Sequence, residues 1–228
     1  MSAYFTITAV APTPVGEVLR SLHELESECG DHIDVYQSTS GSLLCLPGQM
    51  LHDSEGFAAA LSKMLAVPTI DLQFSDDVVW GYTLYQAGAE LDRYSSRPNY
   101  WENQSPEDAL KQAGNAAVVA LAWPGVQEDE IAGYLTNKET LAEDGLDSLA
   151  YPGDKSSEWD AWQLCDFMRK LSLDYPIDEN GEPTSQPIAS MKIGTAKGLK
   201  QKADFEQKSK AVQQEMAQYR EQLDKKNG

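Results

Sequence analysis

The hydrophobic pattern changes period several times along the chain, and each change marks an element. Tyr4 to Val10 is rich in β-branched and aromatic residues and predicts a strand. Thr13-Pro14 follows as a helix start, with Thr13 as N-cap and Pro14 at the first helical position. Val15, Val18, Leu19, Leu22 and Leu25 then recur at helical spacing, and Gly30 ends the run. Ile33–Tyr36 and Ser42–Leu46 read as strands around Ser38-Thr-Ser-Gly41. Asp53 is placed to cap a second helix carrying Phe57, Leu61, Met64 and Leu65, which stops before Pro68. Three strands are expected next, Ile70–Phe74, Val78–Tyr85 and Glu90–Tyr94, with turns at Asp76-Asp77 and Ala87-Gly88. In the middle one Trp80, Tyr82 and Leu84 share one face and Val79, Thr83 and Tyr85 the other. Both faces are apolar or aromatic, so this strand is expected inside a sheet.

After Tyr100-Trp101 the period becomes helical. Ser105-Pro-Glu-Asp108 is a helix start with a capping box, and Leu110, Ala113, Ala117, Val118 and Leu121 form the expected buried stripe, broken at Trp123-Pro-Gly125. Glu128-Asp-Glu130 opens a short helix bearing Ile131, Tyr134 and Leu135. Ser157-Glu-Trp-Asp160 is a further capping box. Behind it Ala161, Trp162, Leu164, Cys165, Phe167, Met168 and Leu171 span a wide arc, which predicts a helix covered on two faces. The class that follows is α+β: a curled, mostly antiparallel sheet with helices packed on it, plus a C-terminal helical tail.

Charge divides the chain in two. The 228 residues carry a formal net charge of −18. Residues 1–190 hold 31 acidic and 9 basic side chains, net −22, whereas 191–228 hold 5 and 9, net +4. The break follows the turn-rich stretch Asp178–Pro187. It suggests an acidic α+β domain over 1–190, sheet-rich to 101 and helical over 102–177, and a basic helical tail over 191–228. In that tail Phe205, Val212, Met216, Tyr219 and Leu223 fall on an a/d-like stripe. The stripe fits docking on the chain's own acidic body, a partner, or self-association. An acidic body argues against nucleic acid, whose binding needs a basic footprint, and against an anionic membrane.

The first residues show neither a basic n-region nor an apolar h-region, and the longest apolar run, Ala116–Trp123, is too short to span a bilayer. Cys29, Cys45 and Cys165 are odd in number and widely spaced, which fits a reducing cytoplasm. Zinc-type ligands occur together at Cys29, His32, Cys45 and His52. The spacing of the second pair is poor, and Cys45 sits between Leu44 and Leu46 like a core thiol, so no metal is expected. No nucleophile elbow and no phosphate loop occurs, and Asp178-Glu-Asn-Gly181 lacks the ligands of a calcium loop. Asp76-Asp77 and Glu128-Asp-Glu130 read as a turn and a helix start rather than as catalytic acids. No cofactor is expected.

The most distinctive stretch is Trp80-Gly-Tyr-Thr-Leu-Tyr85 through Leu91-Asp-Arg-Tyr-Ser-Ser-Arg-Pro-Asn-Tyr-Trp101, joined later by Trp162-Gln-Leu-Cys-Asp-Phe-Met-Arg-Lys-Leu171. Over about residues 70–177 it resembles a family of uncharacterised bacterial cytosolic proteins with a G-Y-x-L-Y hairpin, D-R-[FY]-S-S-x-P-x-Y and W-x-L-x-D-F-x-R-x-L. That resemblance implies a bacterial setting and no particular activity. Asp92 and Arg93 read as hairpin surface, and Asp166 as a partner for Arg169 or Lys170 one turn on. The expected function is a non-catalytic protein-binding module, an inhibitor or immunity-type protein that neutralises a basic partner. Its contact residues would be the tail stripe together with Tyr94, Tyr100 and Trp101. The alternatives are a hydrolase with an unrecognised site, or an assembly subunit anchored by the tail helix.

Overall fold

The computed structural model describes residues 4–25, 32–47, 54–76, 78–138, 148–157, 160–177 and 184–192. Seven strands form one open antiparallel sheet: β1 (Tyr4–Val10), β2 (His32–Gln37), β3 (Leu43–Pro47), β4 (Thr69–Ser75), β5 (Val79–Gln86), β6 (Ala89–Ser95) and β7 (Ala189–Lys192). Their order is β6-β5-β4-β1-β3-β2-β7. Helix α1 (Val15–Glu24) links β1 to β2, and α2 (Ser54–Leu65) links β3 to β4. Each link steps over one antiparallel strand, so the first four strands and two helices are interlocked split β-α-β units, the ferredoxin-like arrangement. A β4–β5–β6 meander widens the sheet on one side and β7 widens it on the other. The topology by itself carries no function.

Strand alternation sends two sets of side chains to opposite faces. Val10, Ile33, Val35, Leu43 and Cys45 pack with Val18 and Leu22 of α1 and Phe57 and Leu61 of α2. Ile7, Ala9, Leu44, Ile70, Leu72, Phe74, Trp80, Tyr82, Leu84 and Tyr94 meet the helical second half. That half comprises α3 (Pro106–Leu110), α4 (Ala116–Ala122), α5 (Glu128–Ile131) with a 3-10 turn over Ala132–Tyr134, and α6 (Gln163–Lys170). The sheet is thus the middle layer of three. Helix α6 starts at Gln163, with Trp162 as its N-cap, rather than behind a capping box at Ser157; its buried residues, Leu164, Phe167 and Met168 with the polar Gln163 and Asp166, span the expected wide arc. Asp166 pairs with Arg169 and also accepts the backbone N–H groups of Lys155 and Ser156.

Several expectations are corrected. Thr13 does not cap α1; Pro14 is the N-cap residue, and the Thr13 hydroxyl donates to Ala11 O. The single helix expected from Ser105 to Leu121 is two. Gly114, at φ 69°, breaks it, and Asn115 caps α4 by accepting from Ala117 N and Val118 N. The intervening segment runs along the edge of β6, where Ser95 N donates to Gln112 O and Gly114 N to Arg93 O. The break rotates the predicted stripe outward, leaving Leu110 and Leu121 exposed and burying Ala116, Val119 and Trp123 instead. The same segment blunts the edge of the sheet against pairing with another chain. Strand β7 runs across residue 190, so the sheet includes the first two residues of the basic segment.

The tail residues Phe205, Val212, Met216, Tyr219 and Leu223 lie outside the described residues, as do Cys29, His52, Asp53 and Glu158. The side chains of both described cores all come from residues before 192. Deleting 193–228 is therefore expected to leave near-ultraviolet circular dichroism and cooperative thermal unfolding intact. Loss of the cooperative transition would make the tail part of the core.

Candidate functional site

Where α2 ends its cover of the sheet, a pocket opens. Thr69, at the start of β4, is sealed under α2 by a 2.8 Å hydrogen bond from its hydroxyl to Ala58 O. One step along the same face, Asp71 lies under the first turn of α2. It is 0% exposed and accepts from the Ser54 hydroxyl at 2.9 Å and from Gln73 Nε2 at 2.8 Å, both on Oδ2. Beyond it Gln73, Gly81, Thr83 and Arg93 face a concavity of about 120 Å³, with Glu55 of α2 on one side and Trp101 on the other. The floor is an open patch of β-sheet at Gly81, where strands approach closely: a Cβ there would lie 2.5 Å from Tyr94 O.

An ion-pair lock forms one wall. Arg93 donates from both terminal nitrogens to the two Glu55 oxygens at 2.7 Å, and also to Glu90 at 2.9 and 3.3 Å. The bidentate geometry ties the start of α2 to the outer strand, and Glu55 also suits the positive end of that helix. Arg93 is therefore a clamp rather than the hairpin surface expected of it, and the hydrogen bonds it donates to Glu55 and Glu90 raise its pKa. Asp92, also expected at the surface, points to the other face. It accepts from the Tyr82 hydroxyl at 2.6 Å and from Asn115 N at 2.9 Å, and burial raises its pKa.

Asp71 is the unusual group. Burial pushes its carboxyl up to about 7, against the opposing pull of its Gln73 and Ser54 hydrogen bonds. Its second oxygen, Oδ1, has no hydrogen-bond partner among the described residues, and neither has the buried Thr6 hydroxyl. Thr6 sits opposite Gln73 in the β1–β4 register, and Thr8 sits opposite Asp71. Two unmatched buried oxygens thus flank Gln73.

The aromatic residues proposed for contact separate. Tyr94 is core: it is 2% exposed, packs on Trp80 at 4.8 Å and donates its hydroxyl to Thr136 O. Tyr100 and Trp101 stand at the surface as an edge-on pair, centroids 4.8 Å apart, and Trp101 is 68% exposed at the mouth of the pocket. Tyr100 also donates to Asp76.

Of the zinc-type residues, Cys45 and His32 are described, and they stand apart. Cys45 is buried beneath α1 and α2, whereas His32 is exposed and bonded to Asp34 at 3.0 Å. Burial pushes the thiols of both Cys45 and Cys165 up to about 12. In a Cys29→Ser background a thiol reagent at pH 8 is accordingly expected to label neither before unfolding; prompt labelling of either would mean that its thiol is accessible and ionised. No helix among the described residues is long and apolar enough to cross a membrane.

The parts of the pocket come from α2, β4, β5, β6 and the connection after β6, so no local motif announced it. The sequence signal nearby was Asp71, a carboxylate inside the alternating strand Thr69-Ile-Asp-Leu-Gln-Phe-Ser75, which is buried next to the wall residue Gln73 and does not line the pocket. No protein family, no curated protein and no solved structure matches the chain.

Proposed function

We propose that the protein is a non-catalytic binding module of the bacterial cytosol that engages a basic protein partner through its acidic body, in the manner of an inhibitor or immunity-type protein. The observation that carries this reading is the exposed Tyr100–Trp101 pair at the mouth of a pocket walled by Glu55 and Arg93. Exposed Trp and Tyr beside a concavity are the side chains that dominate binding energy at interfaces. The net charge of −18 supports a basic partner, because complementary charge speeds encounter and rejects wrong partners. The thiols of buried Cys45 and half-buried Cys165, both with raised pKa, offer no activated nucleophile. The test is a photo-crosslinking amino acid placed at Trp101 and, separately, at the remote exposed Leu121, in host cells. A discrete adduct with one basic protein from position 101 alone is the expected result. The same adducts from both positions, or none from 101, would overturn the reading.

One observation favours a second reading, the hydrolase. Ser54 donates to Asp71, whose carboxyl titrates near neutrality and so suits a general base. A serine-reactive fluorophosphonate that labels the wild type and spares Ser54→Ala would select it. A subunit anchored by residues 191–228 remains the third reading, and deletion of 193–228 with loss of co-purifying chains would select that one.

A further inference from the structure

We infer that the pocket over Gly81 is a binding site for a neutral sugar, one pyranose ring whose hydroxyls bond the side chains of Gln73, Ser75, Thr83 and Gln112 and whose C–H face rests on Trp101. The inference goes beyond the binding-module reading and does not depend on it.

The shape follows from a missing side chain. Gln73, Gly81 and Ser95 form one cross-strand row, and the middle position has no Cβ because one would lie 2.5 Å from Tyr94 O. Val79 and Thr83 stand before and after Gly81 on the same face of β5. The result is a cup of about 120 Å³ set into the sheet, with Glu55 and Trp101 on opposite sides. Sites for cofactors and drug-sized ligands run to about 300–1,000 Å³, so this one has room for a single ring.

The charge of the lining comes next. Glu55 and Arg93 line the cup and neutralise each other through two bonds of 2.7 Å. An ion entering it would lose its hydration without meeting an uncompensated opposite charge on the lining, so the fitting ligand is neutral.

The uncommitted hydrogen-bonding groups then set its chemistry. The carboxamides of Gln73 and Gln112 spend Nε2 on Asp71 and Gln104, at 2.8 and 2.7 Å, while their oxygens accept nothing among the described residues. The hydroxyls of Ser75 and Thr83 are also without a partner there, although these residues are only 7% and 2% exposed. Unlike Thr6 Oγ1 and Asp71 Oδ1, these four oxygens are not shut in, so they open onto the cup that their residues line. A fitting ligand thus brings several donors and no charge. Sugar hydroxyls do so, and because each also accepts, they match amide oxygens and hydroxyls alike. Trp101, 68% exposed on the same cup, supplies the apolar platform that the C–H face of a pyranose needs. A nucleobase is also flat and neutral, but its polar groups lie along its edges, whereas the free groups here are spread over β4, β5 and the segment after α3.

The experiment titrates the full chain with the methyl pyranosides of glucose, galactose, mannose and N-acetylglucosamine, with uridine and adenosine as flat neutral comparators. The readout is the indole N–H resonance of Trp101, assigned through Trp101→Phe. A saturable shift with millimolar affinity is expected for at least one pyranoside, and weaker binding for both nucleosides. Thr83→Val and Gln112→Ala, one inside the sheet and one outside it, are each expected to weaken that pyranoside by about three- to tenfold, with the buried Trp80 and Trp123 resonances in place to show an intact core. If Thr83→Val loses those resonances, Gln112→Ala decides. No saturation by any pyranoside up to about 100 mM, tighter binding of a nucleoside, or unchanged affinity in the folded variants would overturn the inference. If no pyranoside binds while the crosslinker at position 101 captures one basic protein, the sugar site is wrong and the binding module stands. If a pyranoside binds while no partner is captured, the pocket takes a sugar and the partner reading is wrong.

Discussion

Trp80→Ala is expected to destabilise the fold by about 3–5 kcal/mol, with a fall in melting temperature of the order of 10 °C. The indole is 0% exposed and lies between Tyr94 and Phe167, with ring centroids at 4.8 and 5.3 Å. Its Nε1 donates to Gln163 Oε1, which is itself buried in α6. Truncation opens a cavity between the sheet and α6 and also strips a buried acceptor of its donor, two costs that add. Trp101→Ala is the control, with a change of about 0.5 kcal/mol or less, because that side chain touches solvent on most of its surface. Chemical denaturation of both variants measures the contrast. Equal effects would mean that the second half does not pack on the sheet through Trp80.

The second large effect depends on pH. The carboxyl of Asp71 is raised in the folded protein to about 7 from 3.8, chiefly by burial. The groups facing it are Ser54 and Glu55 of α2, Gln73 of its own strand, Tyr85 of β5 and Arg93 of β6, together with Thr8 of β1. A raised folded pKa means that folding takes up a proton between about pH 4 and 7. The stability associated with that proton is fully present below the unfolded value and is lost as pH rises through about 7. At pH 8 the buried carboxylate is charged and costs about 2–4 kcal/mol. Asp71→Asn removes the charge at nearly constant shape. It is expected to be the more stable protein at pH 8 and to show a flatter dependence of unfolding free energy over pH 5–8. A variant less stable than wild type at pH 8, with the slope unchanged, would mean that Asp71 is ionised and well paired in the fold.

How much of this was legible depends on the range of the interaction. Tyr4–Val10, the strand around Trp80 and the wide arc of α6 were readable because each buries a face whose period is written in consecutive residues. The α3–α4 break was harder, since Gly114 and Asn115 sit in a pattern that continues in helical phase across them. The sheet edge decides there, by taking Gln112 and Gly114 as partners for β6. Strand β7 is four residues long and half polar, and only its neighbour β2 makes it a strand.

By itself, then, the chain determined its class, the position and type of its longer elements, its acidic excess and the core thiol at Cys45, all of which follow from local spacing and composition. The tertiary structure alone decided the split strand order, which residues of the aromatic stretch are core and which are surface, and the pocket. The reason is physical: strand order and pockets depend on contacts between segments 17 to 38 residues apart or more, as Ser54 with Asp71 and Glu55 with Arg93 are. Such contacts form only when the entropy of closing the loops between them is offset by burial of both sheet faces, and no window of sequence carries that balance.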